Sequence, residues 1–483
     1  MSAPAPDSKA AADDFDLAII GGGPGGYVAA IRGAQLGLKV VVIERADLGG
    51  ICANWGCIPT KALLHTAEVF SALKAGAALG IQVDNPRIDF AKVIGNSRKI
   101  ADNQKKGVAY LFKKNGVTHL RGTGALQAAD GGVRVLHDGQ PVAARSVIVA
   151  TGARPRALPF MQPDGKDILT YFEAMNLPEQ PRRLVVVGAG AIGIEFAYFY
   201  NAIGTQVTVL EALPQVLPVE DAEIAAVVEK SLRKQGITIH TGAKLTAVER
   251  AGGGLTARFT DKDGQPQQVQ GDKILSAIGV TGNVEGFGLE ALGAKVERGA
   301  LKVDERYRVL RADGAGFIKD LYAIGDVIGG ALLAHKASAE GVACVESLAG
   351  VAEREVRWVN YGAIPGATFC RPEVASVGLT EAKARELGRE LKIGRFPFKA
   401  SGKAQAAHDT EGMVKTVVDA KSGEILGAHI VGGTASDMIA TLALARSAEL
   451  TTTEVLHTVH AHPTFAEIMK SSIEEAYGEA IDL

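Results

Sequence analysis

Cysteine is scarce in this chain: four in 483 residues cannot staple a secreted, disulfide-built scaffold. Such sparing use points to a reducing compartment, and a cytoplasmic location is expected. In that setting a close cysteine pair is more often catalytic or metal-binding than structural. Long hydrophobic runs are also missing. No apolar stretch reaches the ~18 residues that span a bilayer. The opening MSAPAPDSKAAADD has neither the apolar core of a signal peptide nor the arginines of a mitochondrial presequence. Residues 1–13 read as a flexible Ala/Pro tail. Excess charge of one sign is absent too, since 52 Lys+Arg against 54 Asp+Glu leaves −2. Such a balance gives no bulk attraction to nucleic acid or to acidic membranes, and neither is expected as a partner.

What the chain has in plenty is glycine. Its 58 glycines are about 12% of the residues, against a usual ~7%. The length predicts roughly three domains. The glycines fall into an internal repeat. Residues 15–45 read FDLAIIGGGPGGYVAAIRGAQLGLKVVVIER, and residues 183–212 read RLVVVGAGAIGIEFAYFYNAIGTQVTVLEA. Each runs strand, GxGxxG, helix, glycine, strand, acid. Gly21, Gly23, Gly26, Gly37 and Glu44 in the first answer to Gly188, Gly190, Gly193, Gly204 and Glu211 in the second, every pair offset by 167 positions.

Each unit has the physical chemistry of a dinucleotide site. The first glycine turns the chain, the second admits a pyrophosphate to the backbone, and the third lets helix and strand pack closely. The helix N-terminus offers unpaired N–H groups to phosphates. The acid at the end of the second strand accepts ribose hydroxyls. Two such sites on one chain predict a permanently held FAD and a nicotinamide dinucleotide that comes and goes. Glu211 repels a 2′-phosphate, so the second site is expected to take NAD rather than NADP.

Residues 49–61, GGICANWGCIPTK, place Cys52 and Cys57 five positions apart. On a regular helix their Cα atoms would stand beyond ~8 Å, whereas a disulfide needs ~4.4–6.8 Å. The pair can bridge only where the helix is distorted or not yet begun. Gly56 permits such a bend, and Pro59 suits the first turn of the helix that runs through KALLHTAEVF. Two buried structural cysteines, or a zinc site, are the competing readings; no second pair or histidine cluster completes four zinc ligands, and no metal is expected. Cys344 and Cys370 stand alone and read as bystanders.

GGICANWGCIPTK resembles the active-site segment of the flavin disulfide reductases, the family of dihydrolipoamide dehydrogenases, glutathione reductases and mercuric reductases. ATGARPR at 150–156, SAIGVTGNVEG at 276–286, LYAIGDVIGG at 321–330 and HAHPTFAE at 460–467 continue the likeness in family order. NWGCIPTK, IGVTGNVE, Glu211 and a C-terminus without cysteine resemble the branch that oxidises dihydrolipoamide. One segment departs from many relatives: GVTGN stands where they have GRxPN. Another reductase type, or a docking or redox-sensor subunit, is the alternative reading.

The resemblance implies a role for each matching residue. Cys52 is the interchange thiol, and Cys57 lies against the flavin. His462, ahead of Pro463 and with Glu467 one turn further into an expected last helix from Pro463, is the base; His460 is its rival and reads as structural. Lys61 and Glu195 pair beside the flavin, with Glu195 counted among the residues of the nicotinamide unit. Gly152 and Asp326 belong to the FAD site, and Gly279 to the NAD site. The implied reaction is dihydrolipoamide + NAD → lipoamide + NADH + H⁺. The implied partners are dihydrolipoamide on a lipoyl domain, the E2 acyltransferase core of a 2-oxo acid dehydrogenase complex such as the pyruvate dehydrogenase complex, and a second copy of the chain in a homodimer.

The expected fold class is α/β: two doubly wound Rossmann-like domains and a C-terminal α+β dimerisation domain. The expected boundaries are 14–150 for FAD, 151–280 for NAD, 281–355 for a central domain that completes the FAD site, and 356–483 for the interface domain.

Overall fold

The computed structural model describes residues 15–129, 132–251 and 254–483. The expected tail, residues 1–13, lies outside the described residues. The chain forms two compact units. One holds the chain up to Cys57 with Ala101–Arg154 and Val280–Val359; the other holds Ile58–Ile100, Pro155–Gly279 and Asn360–Leu483.

The first unit is built on a six-stranded sheet. Phe15–Ile20 lies at its centre, parallel to Val40–Glu44 on one side and to Ala144–Val149 on the other. Thr118–Arg121 and Phe317–Ala323 extend it in parallel, and Arg308–Leu310 closes one edge antiparallel. The central strand is apolar on both faces because both are covered, as parallel sheets require. Leu17 and Ile19 pack with Val40, Val42 and the helical residues Ala29, Ala30 and Ala343. Their alternates Ala18 and Ile20 pack on the other face with Val41, Ile43, Leu126 and Leu321. The order of strands reverses between Phe15–Ile20 and Ala144–Val149, so a crevice for a ligand opens at their carboxyl ends.

The second unit repeats that plan. Its parallel sheet runs Thr238–His240, Gln206–Leu210, Arg183–Val187, Lys273–Ser276 and Ile168–Leu169. The helix Ala191–Ala202 buries Ile194, Phe196, Phe199 and Tyr200. The C-terminal part of this unit is a five-stranded antiparallel sheet in the order Gly366–Thr368, Glu373–Gly378, Ile425–Gly432, Met413–Asp419, Leu391–Pro397. The helices Ala435–Ser447 and Glu467–Ala476 pack on it through Met438, Ile439, Leu442, Ile468, Met469 and Ile473.

A buried cation ties these layers together. Lys415 Nζ meets Asp221 Oδ1 at 2.9 Å, Glu223 Oε1 at 2.7 Å and Glu381 Oε2 at 2.8 Å, with the lysine side chain only 2% exposed. Asp221 is at the same time the N-cap of the helix Ala222–Lys234, its side chain accepting from Glu223 N. Among the described residues no helix is long and apolar enough to cross a membrane.

Candidate active site

The two glycine loops share their backbone conformation and their hydrogen bonds. Gly23 opens the helix Pro24–Gln35 with φ −73° and ψ −175°; Gly190 opens Ala191–Ala202 with φ −71° and ψ −179°. The first intrahelical bond runs Tyr27 N to Gly23 O at 2.8 Å in one and Ile194 N to Gly190 O at 3.0 Å in the other. The amides before that bond have no helical acceptor, so each helix end can accept a phosphate. Gly21 and Gly188 hold φ of +111° and +102°. A Cβ at either would overlap a carbonyl of the neighbouring strand end, Ala150 or Ala277. At Gly26 and Gly193 a Cβ would overlap the carbonyl of Gly21 or Gly188.

The acids match as closely. Glu44 Oε2 accepts Gly22 N at 2.7 Å and Oε1 accepts Ala46 N at 2.8 Å. Glu211 Oε2 accepts Ala189 N at 2.6 Å and Oε1 accepts Leu213 N at 2.8 Å. Two lone pairs of each carboxylate are thereby committed, and two remain for hydroxyl donors. The residues present therefore fit one dinucleotide per loop.

In the first unit Thr151 and Asn283 bind one another through Thr151 Oγ1 to Asn283 O and Asn283 Nδ2 to Thr151 O, both at 2.8 Å. This fixes the turn at Gly152, which has φ +69°. Asp326 sits in a one-turn helix, Gly325–Ile328, just after the strand Phe317–Ala323. Burial pushes its carboxyl above the ordinary range; Lys336 opposes this and Glu340 adds to it. Lys336 and Glu340, which sequence reading missed, form a fully buried pair at 3.1 Å, and Glu340 accepts Gly325 N at 2.8 Å. Their i,i+4 spacing on the helix Ala334–Leu348 was the available signal. In the second unit Gly279, with φ +98°, accepts Arg156 N at 3.0 Å.

Cys52 and Cys57 are bridged, with Cα atoms 4.7 Å apart. The helix is interrupted where the bridge requires it. Gly50–Trp55 ends at Gly56, which has φ −146° and ψ −111°, and a new helix begins at Cys57 and runs to Ala75. Asn54 Nδ2 donates to Leu48 O at 3.0 Å and to Gly50 O at 2.9 Å, which pins the short helix that carries Cys52. Cys344 and Cys370 are buried free thiols, both pushed up by burial.

Lys61 and Glu195, 134 positions apart, meet at 3.1 and 3.2 Å through both carboxylate oxygens. Phe369, also missed from sequence, serves both: its N–H donates to Glu195 Oε1 at 3.0 Å, and its ring lies 4.1 Å from Lys61 Nζ.

His462 Nδ1 donates to Glu467 Oε1 at 2.9 Å. The bond leaves Nε2 as the nitrogen that can take a proton. Burial works to raise the Glu467 carboxyl, but the Thr464 amide, His462 and His460 outweigh it and hold it below its ordinary value. The rival His460 has its ring Nδ1 3.2 Å from a backbone carbonyl, Thr458 O, rather than from a carboxylate. One expectation is corrected. The last helix starts at Glu467, not at Pro463. Glu467 Oε2 accepts Thr464 N at 2.7 Å, so residues 462–466 form a turn folded over the carboxylate. His462 is thus in a loop, and Glu467 is the first helical residue, where the helix dipole favours its charge.

Two nucleotide loops, a bridged cysteine pair and a histidine–carboxylate couple define a two-dinucleotide disulfide oxidoreductase. Residues 15–341 match the family described as pyridine nucleotide-disulphide oxidoreductase, and residues 364–473 match that family's dimerisation domain. The chain belongs to the pyridine nucleotide-disulphide oxidoreductase family. It is 46% identical to the dihydrolipoyl dehydrogenase of Rhizobium etli, over 98% of this chain and 100% of that one. It is also 46% identical to the dihydrolipoyl dehydrogenase of Zymomonas mobilis, over 97% and 99%. Among solved structures, LpdA from Mycobacterium tuberculosis is 29% identical with a TM-score of 0.86, covering 95% of this chain and 99% of that one. A Cu(II) complex of the HOCl-induced flavoprotein disulfide reductase RclA from Escherichia coli is 25% identical with a TM-score of 0.82, covering 96% and 99%.

Proposed function

We propose that the chain is a dihydrolipoyl dehydrogenase, which oxidises dihydrolipoamide and reduces NAD. The carrying observation is a bridged Cys52–Cys57 pair in a chain that also holds two dinucleotide loops, each with an acid for a ribose. When bound, the flavin relays electrons between the thiol pair and the nicotinamide. Gly21, Gly23, Gly26 and Glu44, with Gly152 and Asp326, hold FAD, and the Lys61–Glu195 pair supports it. Gly188, Gly190, Gly193, Glu211 and Gly279 hold NAD.

His462 Nε2 takes a proton from one substrate thiol, and Glu467 stabilises the imidazolium that results. The thiolate attacks Cys52 Sγ; the Cys52–Cys57 bond breaks and Cys57 leaves as thiolate. The second substrate thiol, deprotonated in turn, attacks the mixed disulfide, releasing lipoamide and Cys52. Two electrons and two protons leave the substrate, and NADH and H⁺ balance them. The half-reactions are separate, so the kinetics are ping-pong.

The His462 side chain is 79% exposed in a single chain. The match of residues 364–473 to the family's dimerisation domain supports a homodimer, in which His462 and Glu467 of one subunit would serve the disulfide of the other. Lipoyl domains, an acyltransferase core and a cytoplasmic location complete the reading. The test is an assay of the purified yellow protein with dihydrolipoamide and NAD, against glutathione disulfide and NADPH. Fast turnover only with the first pair is expected; turnover with the second pair instead would overturn the reading.

A further inference from the structure

We propose that Thr464 is a positioning residue that presets the tautomer of His462; this rests on the reading of His462 as the base. Thr464 uses both of its donors in one loop. Its N–H donates to Glu467 Oε2 at 2.7 Å, and its hydroxyl donates to Ala461 O at 2.8 Å. One bond reaches back across the His462–Pro463 dipeptide, and the other reaches forward to the carboxylate. His462 is therefore mounted on a loop closed at both sides.

The division of labour on Glu467 follows. Its Oε2 is occupied by the Thr464 amide, which leaves Oε1 for His462 Nδ1 at 2.9 Å. A carboxylate held by one oxygen presents the other in one direction, and it accepts only a protonated Nδ1. The tautomer with a bare Nε2 is thereby selected before substrate arrives. Phe465 anchors the far side of the turn, its ring 5.7 Å from that of Phe398 in the core of the C-terminal sheet. The hydroxyl matters because the amide alone does not fix the loop: without the bond to Ala461 O the turn can open on its N-terminal side and carry His462 away from Oε1.

The variants are Thr464→Val, which keeps shape and amide but removes the hydroxyl, and Thr464→Ser, which keeps the hydroxyl. Both are made in the full-length, flavin-loaded dimer. The readout beyond turnover is the ¹⁵N spectrum of the His462 ring, which distinguishes the two neutral tautomers. Thr464→Val is expected to raise the share of the Nε2–H form and to lower kcat about three- to tenfold, the scale of one net hydrogen bond. Thr464→Ser is expected to restore both. Should Thr464→Val fail to fold or to hold flavin, Thr464→Ala makes the same comparison in the smaller side chain. An unmoved tautomer ratio in a folded variant lacking the hydroxyl overturns the assignment, as does failure of serine to restore it. His462→Gln separates this from the reading beneath it. Full activity in that variant sinks the base assignment itself; lost activity there with an unmoved Thr464→Val spectrum sinks only the role of Thr464.

Discussion

Glu211 accepts two amides of its own loop, from Ala189 and Leu213, at 2.6 and 2.8 Å. In the proposed reading the same carboxylate accepts a ribose hydroxyl and repels a 2′-phosphate. Replacing it by alanine is therefore expected to weaken NAD use and narrow the gap to NADP by about 1–3 kcal/mol, the scale of a charged hydrogen bond. The ratio of kcat/KM for the two nucleotides measures this, and an unchanged ratio would place discrimination elsewhere. Glu223 shows a different residue-scale effect. The Arg395 guanidinium beside it, with Lys415, holds its carboxyl down to about 2 from an ordinary 4.5. A carboxyl depressed in the folded state stabilises above its unfolded value, and that stability is lost as pH falls through the folded one. The contribution should thus be full above about pH 4.5 and disappear toward pH 2. Arg395→Met should move the onset of acid unfolding to higher pH, followed by circular dichroism; an onset that stays put would deny Arg395 that role.

At the scale of elements, the break between the helices Gly50–Trp55 and Cys57–Ala75 is what makes the cysteine pair possible. A continuous helix would hold the two Cα atoms beyond ~8 Å, against the 4.7 Å observed. The break also gives the two sulfurs different settings. Cys52 is carried by a six-residue helix pinned through Asn54, whereas Cys57 opens a helix of 19 residues, whose N-terminus favours a thiolate. Mild two-electron reduction is accordingly expected to produce a long-wavelength absorption band from a Cys57 thiolate beside oxidised flavin. Cys57→Ser should abolish the band, and Cys52→Ser should leave a thiolate at the flavin. The opposite pattern would exchange the two roles.

The whole molecule sets the last expectation. A site shared between subunits can be rebuilt from two different defects. Cys52→Ser and His462→Gln homodimers each lack one group at both sites. In a mixed dimer one site carries both defects and the other carries neither. Equal random mixing makes half the dimers mixed, each with one intact site of two, so activity should recover to about a quarter of wild type. Heterodimers verified by mass that stay as inactive as their parents would return His462 to its own chain's disulfide or remove it from the chemistry.

Much of the site was legible in the chain because its logic is local. The turns at Gly21 and Gly188 need a positive φ within one loop, the acids Glu44 and Glu211 follow at fixed distance along a strand, and Gly56 lies between the cysteines it lets approach. A backbone conformation and a short spacing are properties of neighbouring residues, so the repeat alone determined two nucleotide loops and an α/β fold. What only the tertiary structure decided joins distant residues. Lys61 meets Glu195 across 134 positions, a pairing that the family resemblance implied but no spacing in the chain records, and Phe369 reaches Glu195 across 174. Lys415 meets Asp221 across 194. The start of the last helix at Glu467 is a local exception: Pro463 suits a helical first turn, yet the Thr464 amide is taken by the Glu467 carboxylate and the His462 ring by its other oxygen; the other partners are far apart in the chain. Such partners are set by the order of strands in a sheet and by which helix packs across it, and no pattern along the chain records that order.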